Sequence, residues 1–158
     1  MRAKASVRMS LPDDCTKLSP NLRLADRREV IACSGKDVST GLKLAQDGSD
    51  KCWTVTLEGE PIALFGYVQS TVNSSANIWL LGSDKIKTIK WQFLRESRKW
   101  LKQIVSDFDR VWAIADVRNS AHRDWYEWLG FKVTTTVDWG PFKLPFYHIE
   151  YLKEESDV

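Results

Sequence analysis

Two residues in one short segment carry side chains able to exchange a proton. In NSAHRDWYEWLGF, residues 119–131, His122 and Tyr126 stand four positions apart. On a helix that spacing puts them one turn apart on one face. A free phenol has a pKa near ~10, so at neutral pH it keeps a proton that it can donate. Much of the segment has a plainer reading. Asn119 is a good N-cap, because its side chain accepts from an unpaired backbone N–H at a helix start. Gly130 suits the left-handed position that ends a helix. Ala121, Trp125 and Leu129 recur at i, i+4 and i+8 and share one apolar stripe. His122 reads as a packing residue on the flank of that stripe. Capping and packing account for nearly every residue here, but neither requires a Tyr at 126.

The elements that must position this segment can be read along the chain. Residues 5–11 read as a short strand or an unstructured start, and LPDD (11–14) as a turn. Residues 21–34, ending at Gly35, and 37–47, capped by Asp37 and stopped by Gly48, have helical signals. CWTVTLEGEPIALFGYV (52–68) reads as a hairpin with alternating Trp53, Val55 and Leu57 on its first arm. NIWLLG (77–82) is a third strand. Residues 84–107 form the longest helix, with Ile86, Ile89, Phe93, Ser97, Leu101, Ile104 and Phe108 at a 3.6 period. Arg95, Arg98, Lys99 and Lys102 fall opposite. VWAIADV (111–117) reads as a strand covered on both faces. The opening segment follows as a helix, and 131–138 and 146–152 as two closing strands. The order is β-α-α-β-β-β-α-β-α-β-β around one mixed central sheet, an α/β chain forming a single domain over 1–158.

Composition narrows the function classes. The 158 residues fit one core of useful size, with 43% hydrophobic and 28% charged residues. A net charge of +2 is too small to imply nucleic acid or an acidic membrane as partner. A nucleic-acid surface on the 84–107 helix, with Trp91 and Trp100 interleaved among its cations, is the weaker reading of that basic face. Cys15, Cys33 and Cys52 are far apart and odd in number, without zinc spacing or a disulfide framework. No Cys has a base beside it in sequence, and nothing near His148 suggests a metal. A reduced, intracellular setting is the simplest expectation. No apolar run suits a secretory signal or a membrane span. Eight Trp is a rich supply. Trp91, off the apolar stripe, and Trp139, in the DWGPF turn, are expected to include at least one contact with another protein.

The element order resembles the GNAT acetyltransferase fold. Asn119, Tyr126, Gly130 and Phe131 stand at the offsets of that family's last shared segment, with His122 where Ala is frequent. The resemblance implies acetyl-CoA as cofactor. It implies that Asn119 lies near the cofactor arm, between the 77–82 and 111–117 strands. It implies that Tyr126 is the catalytic acid, giving its proton to the departing coenzyme A thiolate. Backbone N–H groups of the 77–82 strand would hold the thioester carbonyl. Leu81, Gly82, Ser83 and Lys87 would border the cofactor phosphates.

The chain departs from the family at that border. The family's Arg/Gln-x-x-Gly-x-Gly/Ala loop lets backbone N–H groups approach a pyrophosphate. LLGSDKIKTIK offers one glycine, Gly82, followed by Ser83 and Asp84. A carboxylate at Asp84 is expected to stand where phosphates need to be, with Lys85, Lys87 and Lys90 as partial offsets. The 77–82 strand also lacks the Glu that many family members use as a base. CWTVTLEGEPIALFG, IWLLGSDKI and NSAH together are similar to a small internal virion protein of short-tailed phages. That resemblance implies a non-catalytic role in particle assembly or genome ejection. It implies other virion proteins as partners, and a location in host cytoplasm or in the particle. The expectation is therefore a degenerate acetyltransferase fold with no cofactor, and the alternative is an active N-acetyltransferase.

Overall fold

The computed structural model describes residues 4–152. Residues 1–3 and 153–158, at the two ends of the expected 1–158 domain, lie outside the described residues. One seven-stranded sheet has the order β1-β2-β3-β4-β5-β7-β6. Its strands are β1 (Ala5–Met9), β2 (Lys51–Leu57), β3 (Glu60–Ser70), β4 (Ser75–Gly82), β5 (Arg110–Asp116), β6 (Phe131–Trp139) and β7 (Leu144–Tyr151). The helices are α1 (Asp14–Leu18), α2 (Leu24–Ser34), α3 (Val38–Gly48), α4 (Lys90–Asp107) and α5 (Ser120–Trp128). This is the mixed α/β architecture that the pattern of the sequence implies, with the long elements in the expected order.

Three local differences have physical causes. The LPDD segment is not only a turn, because Asp14 opens α1. Asp14 is buried and takes the Leu11 N–H at 2.8 Å, the Thr54 hydroxyl at 2.6 Å and the Arg8 guanidinium at 2.7 Å. The 84–107 helix is divided, with Asp84–Ile89 wound as a 3-10 helix before α4 begins at Lys90. Buried Ile86 and Ile89 stand three apart, and the 3-10 winding stacks such a pair on one face. The hairpin turn falls at Glu58–Gly59, both at positive φ, one residue before the Gly59–Glu60 turn that the sequence pattern suggests.

Two apolar clusters cover the sheet. The larger joins β3, β4 and β5 to α4 and α5 through Phe65, Ile78, Leu101, Ile104, Trp125 and Phe131. The smaller joins Leu18, Val30, Leu42 and Leu64 beneath α1, α2 and α3. Arg95, Arg98, Lys99 and Lys102 face water. Trp91 is 75% exposed, while Trp139 is half-buried. No helix among the described residues is long and apolar enough to cross a membrane.

Candidate active site

The central strands part company. β4 and β5 are the sheet's one parallel pair, and only Ser75, Ala76 and Asn77 are in register with Arg110, Val111 and Trp112. Beyond Asn77 the two strands diverge and leave a wedge. Ser83 donates to the Ile62 carbonyl on the β3 side at 2.8 Å. Alternation along the strand then turns the N–H groups of Gly82 and Leu80 toward the wedge.

Helix α2 reaches into this wedge with two carboxylates. Asp26 accepts from the Gly82 N–H at 2.8 Å, from Asn119 Nδ2 at 3.0 Å and from the Arg23 guanidinium at 2.9 Å. Glu29 Oε1 accepts from the Asp116 N–H of β5 at 2.7 Å. Between them stands His122, its Nδ1 2.9 Å from Glu29 Oε2 and its Nε2 3.3 Å from Asp26 Oδ1. The Nε2 contact is out of line, so that nitrogen makes no directed hydrogen bond. Asp26, Glu29, Asn119 and His122 are all buried.

Burial and charge set the protonation states. For His122, burial disfavours the charged ring, but the negative charges of Glu29 and Asp26 on either side, with the close Glu29 contact, outweigh it and raise the pKa to about 10. For Asp26, burial pushes upward, but His122, Arg23 and the Gly82 N–H outweigh it and lower the pKa to about 2. The wedge is thus stapled by a carboxylate, an imidazolium and a second carboxylate. Burial lifts the Tyr126 phenol well above 10, helped by Glu29 and Asp26, so it keeps its proton throughout the working range. Burial also raises Cys33 to about 12, which leaves a neutral thiol with little nucleophilic character.

Two cavities flank the wedge. One, of about 270 Å³, lies between α2, α3 and the open part of β4. Leu80, Leu81, Ile114, Tyr126 and Trp139 line it, together with Glu29 and Cys33. The other, of about 600 Å³, lies beside the turn after β4 and takes Arg23, Ser83, Lys87, Lys90 and His122 as lining. Leu80 borders both. Both are largely apolar, and the second also carries three basic side chains, Arg23, Lys87 and Lys90, against one acid, Asp124.

The residues singled out in the sequence fall on different sides of this arrangement. Tyr126 and Leu81 face the smaller cavity, and Ser83 and Lys87 the larger one. Gly82 sits between, its N–H bound to Asp26 and its carbonyl accepting from Arg23 N at 2.9 Å. Asn119 caps α5 by accepting from His122 N at 3.3 Å, while its amide is held by Asp26. Both ends of that side chain are engaged inside the protein. Asp84 does not project into the wedge. It is 73% exposed and lies 3.6 Å from Lys87 Nζ. Water and that lysine screen its charge, so the expected clash with phosphates loses its footing. Among the described residues no cluster of His, Cys, Asp or Glu could hold a metal.

Asp26, Glu29 and Arg23 were not foreseen. The signal lay in LADRREVI, where two acids stand three apart on one helical face. The ordinary expectation turns acids outward and aliphatics inward. In α2 Asp26 and Glu29 are buried beside Val30 and Ala32, while Leu24 and Ile31 are exposed.

No protein-family model matches the chain, and no curated protein matches it. Solved structures share its architecture. A GNAT-family acetyltransferase from Streptococcus pneumoniae aligns with a TM-score of 0.65 at 12% identity, over 96% of this chain and 100% of that one. The aminoglycoside acetyltransferase AAC(6')-Ib in complex with coenzyme A aligns at 0.65 and 17% identity, over 98% and 96%. The spermidine N-acetyltransferase from Vibrio cholerae in complex with CoA and spermine aligns at 0.62 and 14% identity, over 94% and 95%. These likenesses lend no support to the phage-virion expectation. Wedge, strand order and likeness agree on one conclusion: the chain has the GNAT acetyltransferase fold.

Proposed function

We propose that this protein is an acetyl-CoA-dependent N-acetyltransferase. The observation that carries the reading is the parting of β4 and β5 after three paired residues, with a cationic cavity on one side and a Tyr126-lined cavity on the other. The donor set fits a phosphate-bearing thioester. Arg23, Lys87 and Lys90 edge the larger cavity and outnumber its one acid, Asp124. Side-chain cations here take over what a glycine-rich backbone cradle does elsewhere.

Acetyl-CoA, when bound, supplies an acetyl group activated as a thioester. Lys87 and Lys90 would hold its phosphates, and Ser83 would border them. The Leu80 N–H, turned to the wedge, is the donor for a carbonyl oxygen that gains negative charge. Tyr126 holds the proton that a departing sulfur anion takes. The staple of Asp26, His122 and Glu29 keeps α2, β4, β5 and α5 in fixed relation around that point.

Calorimetric titration of the full chain with acetyl-CoA tests the reading. Saturable binding in the micromolar range is expected, and no heat together with no thermal shift overturns it. A second reading is favoured by one observation, the occupation of the Gly82 N–H by the chain's own Asp26. On that reading the protein is a non-catalytic particle-assembly protein of a short-tailed phage, acting in host cytoplasm or in the virion. Exposed Trp91 would then contact another virion protein, and no acetyl-CoA would bind.

A further inference from the structure

We infer that the acetyl acceptor is a small hydrophobic monoamine of arylalkylamine type, held in the cavity between α2, α3 and the open part of β4. The inference rests on the transferase reading above and adds the class of acceptor.

The lining argues for it. Val30, Leu44, Trp79, Leu81, Ile114 and Trp139 give the cavity apolar and aromatic walls. Its mouth is apolar as well, since Leu44, Gly48 and Val68 are the exposed members of the lining. Tyr126, 1% exposed, marks the inner end. The Trp79 indole is pinned in place by donating from Nε1 to Ser49 Oγ at 2.7 Å. A fixed indole plane is a ready surface for an aromatic or branched aliphatic body.

The charge argues against the alternatives. Spermine and kanamycin, seen in complexes of similarly folded acetyltransferases, carry several ammonium groups. Each would lose hydration on burial and need its own carboxylate. Among the described lining residues Glu29 is the one acid, and both its oxygens already serve Asp116 N–H and His122. Nothing is left to neutralise a buried ammonium, so the acceptor must enter neutral, which costs a monoamine one proton and a polyamine several. Size points the same way. At about 270 Å³ the cavity lies below the ~300 Å³ where pockets for drug-sized ligands begin. A multi-ring aminosugar is too large for it.

The chemistry balances without a further reactant. A neutral amine nitrogen attacks the thioester carbonyl carbon, a C–N bond forms and the C–S bond breaks. The sulfur gains a proton from Tyr126, and the proton lost by the nitrogen returns to the phenolate.

The test is a comparison of kcat/KM for phenethylamine, tryptamine, spermidine and kanamycin, followed by thiol release from acetyl-CoA with the full chain. The two hydrophobic amines are expected to exceed both polycations by about 100-fold or more. Ala45→Phe, which projects a ring into the cavity, should raise KM for phenethylamine at least about tenfold and leave the acetyl-CoA Kd within about twofold. Wild-type protein should also gain thermal stability from phenethylamine alone, a readout independent of whether the variant folds. Acetyl-CoA binding with polycations preferred, or with no shift by phenethylamine, overturns the inference and leaves the transferase reading standing. Absence of acetyl-CoA binding overturns both.

Discussion

His122 Nδ1 lies 2.9 Å from Glu29 Oε2, and through this contact α5 is locked to α2 across the gap between β4 and β5. The ring's other nitrogen faces Asp26 at 3.3 Å, so one imidazolium closes both carboxylates of the staple. A protein that splits its sheet must hold the two halves apart at a set distance. Here a buried ion triad does so, rather than side-chain packing alone.

Removing the centre of that triad should be costly. Leaving one partner of a buried ion pair uncompensated costs about 3–5 kcal/mol. His122→Leu leaves two facing buried carboxylates and should lose stability of that order in urea denaturation. A loss under about 1 kcal/mol would show the carboxylates to be satisfied without the ring.

The same group sets an alkaline limit. His122 rises from 6.5 to about 10 on folding, so its contribution is complete below 6.5 and disappears as pH climbs through 10. Asp26 falls from 3.8 to about 2, so its contribution is complete above 3.8 and disappears as pH drops through 2. The triad therefore stabilises fully between 3.8 and 6.5. Scanning calorimetry should show Tm declining between about pH 7 and pH 10 in wild type, and a shallower decline in His122→Asn. Parallel slopes would rule out a titrating His122.

Tyr126→Phe removes the donor and keeps the ring. General-acid contributions run to about 10²–10⁴-fold, and loss of kcat by at least ~100-fold is expected with acetyl-CoA affinity unchanged. Stability should fall little, because the ring still packs on Trp125 and Phe131. Unaltered turnover would remove Tyr126 from the chemistry.

Lys87 and Lys90 offer charge rather than shape. Charge-assisted hydrogen bonds to an anion contribute about 1.5–3 kcal/mol, so each Lys→Ala change should weaken acetyl-CoA binding by roughly tenfold or more. The wild-type Kd should rise with salt, and less steeply in the double variant. Affinity indifferent to both lysines would place the phosphates elsewhere.

Gly82 is needed for close approach. A Cβ there would stand 2.3 Å from Ile86 Cδ1 and 3.3 Å from Ala63 Cβ. Gly82→Ala should cost about 1–3 kcal/mol as an overpacked site. A thermal scan showing no loss would mean that Ile86 moves aside freely.

Much of the architecture was legible because period and punctuation are local properties. Asn119 and Gly130 bound α5 as their chemistry requires, the one accepting from His122 N and the other at φ 103°. Asp37 caps α3 by accepting from Thr40 N at 2.8 Å. The split of the 84–107 helix was not legible, since i, i+3 and i, i+4 apolar spacings serve both windings. The carboxylates of α2 were missed for a stronger reason. The helix mixes acids and aliphatics on both its faces, and only its neighbours reveal which of them are inside.

The sequence by itself determined the order of elements, their caps and stops, and the apolar stripes that choose which faces meet, because each depends on residues within a turn or two of one another. Tertiary structure alone decided that Asp26, Glu29 and His122, up to 96 positions apart, share one buried charge system, and that Asp84 turns to water. The reason is that the sign and strength of an electrostatic contact depend on distance and solvation across the fold, and neither is written in the spacing of residues along the chain.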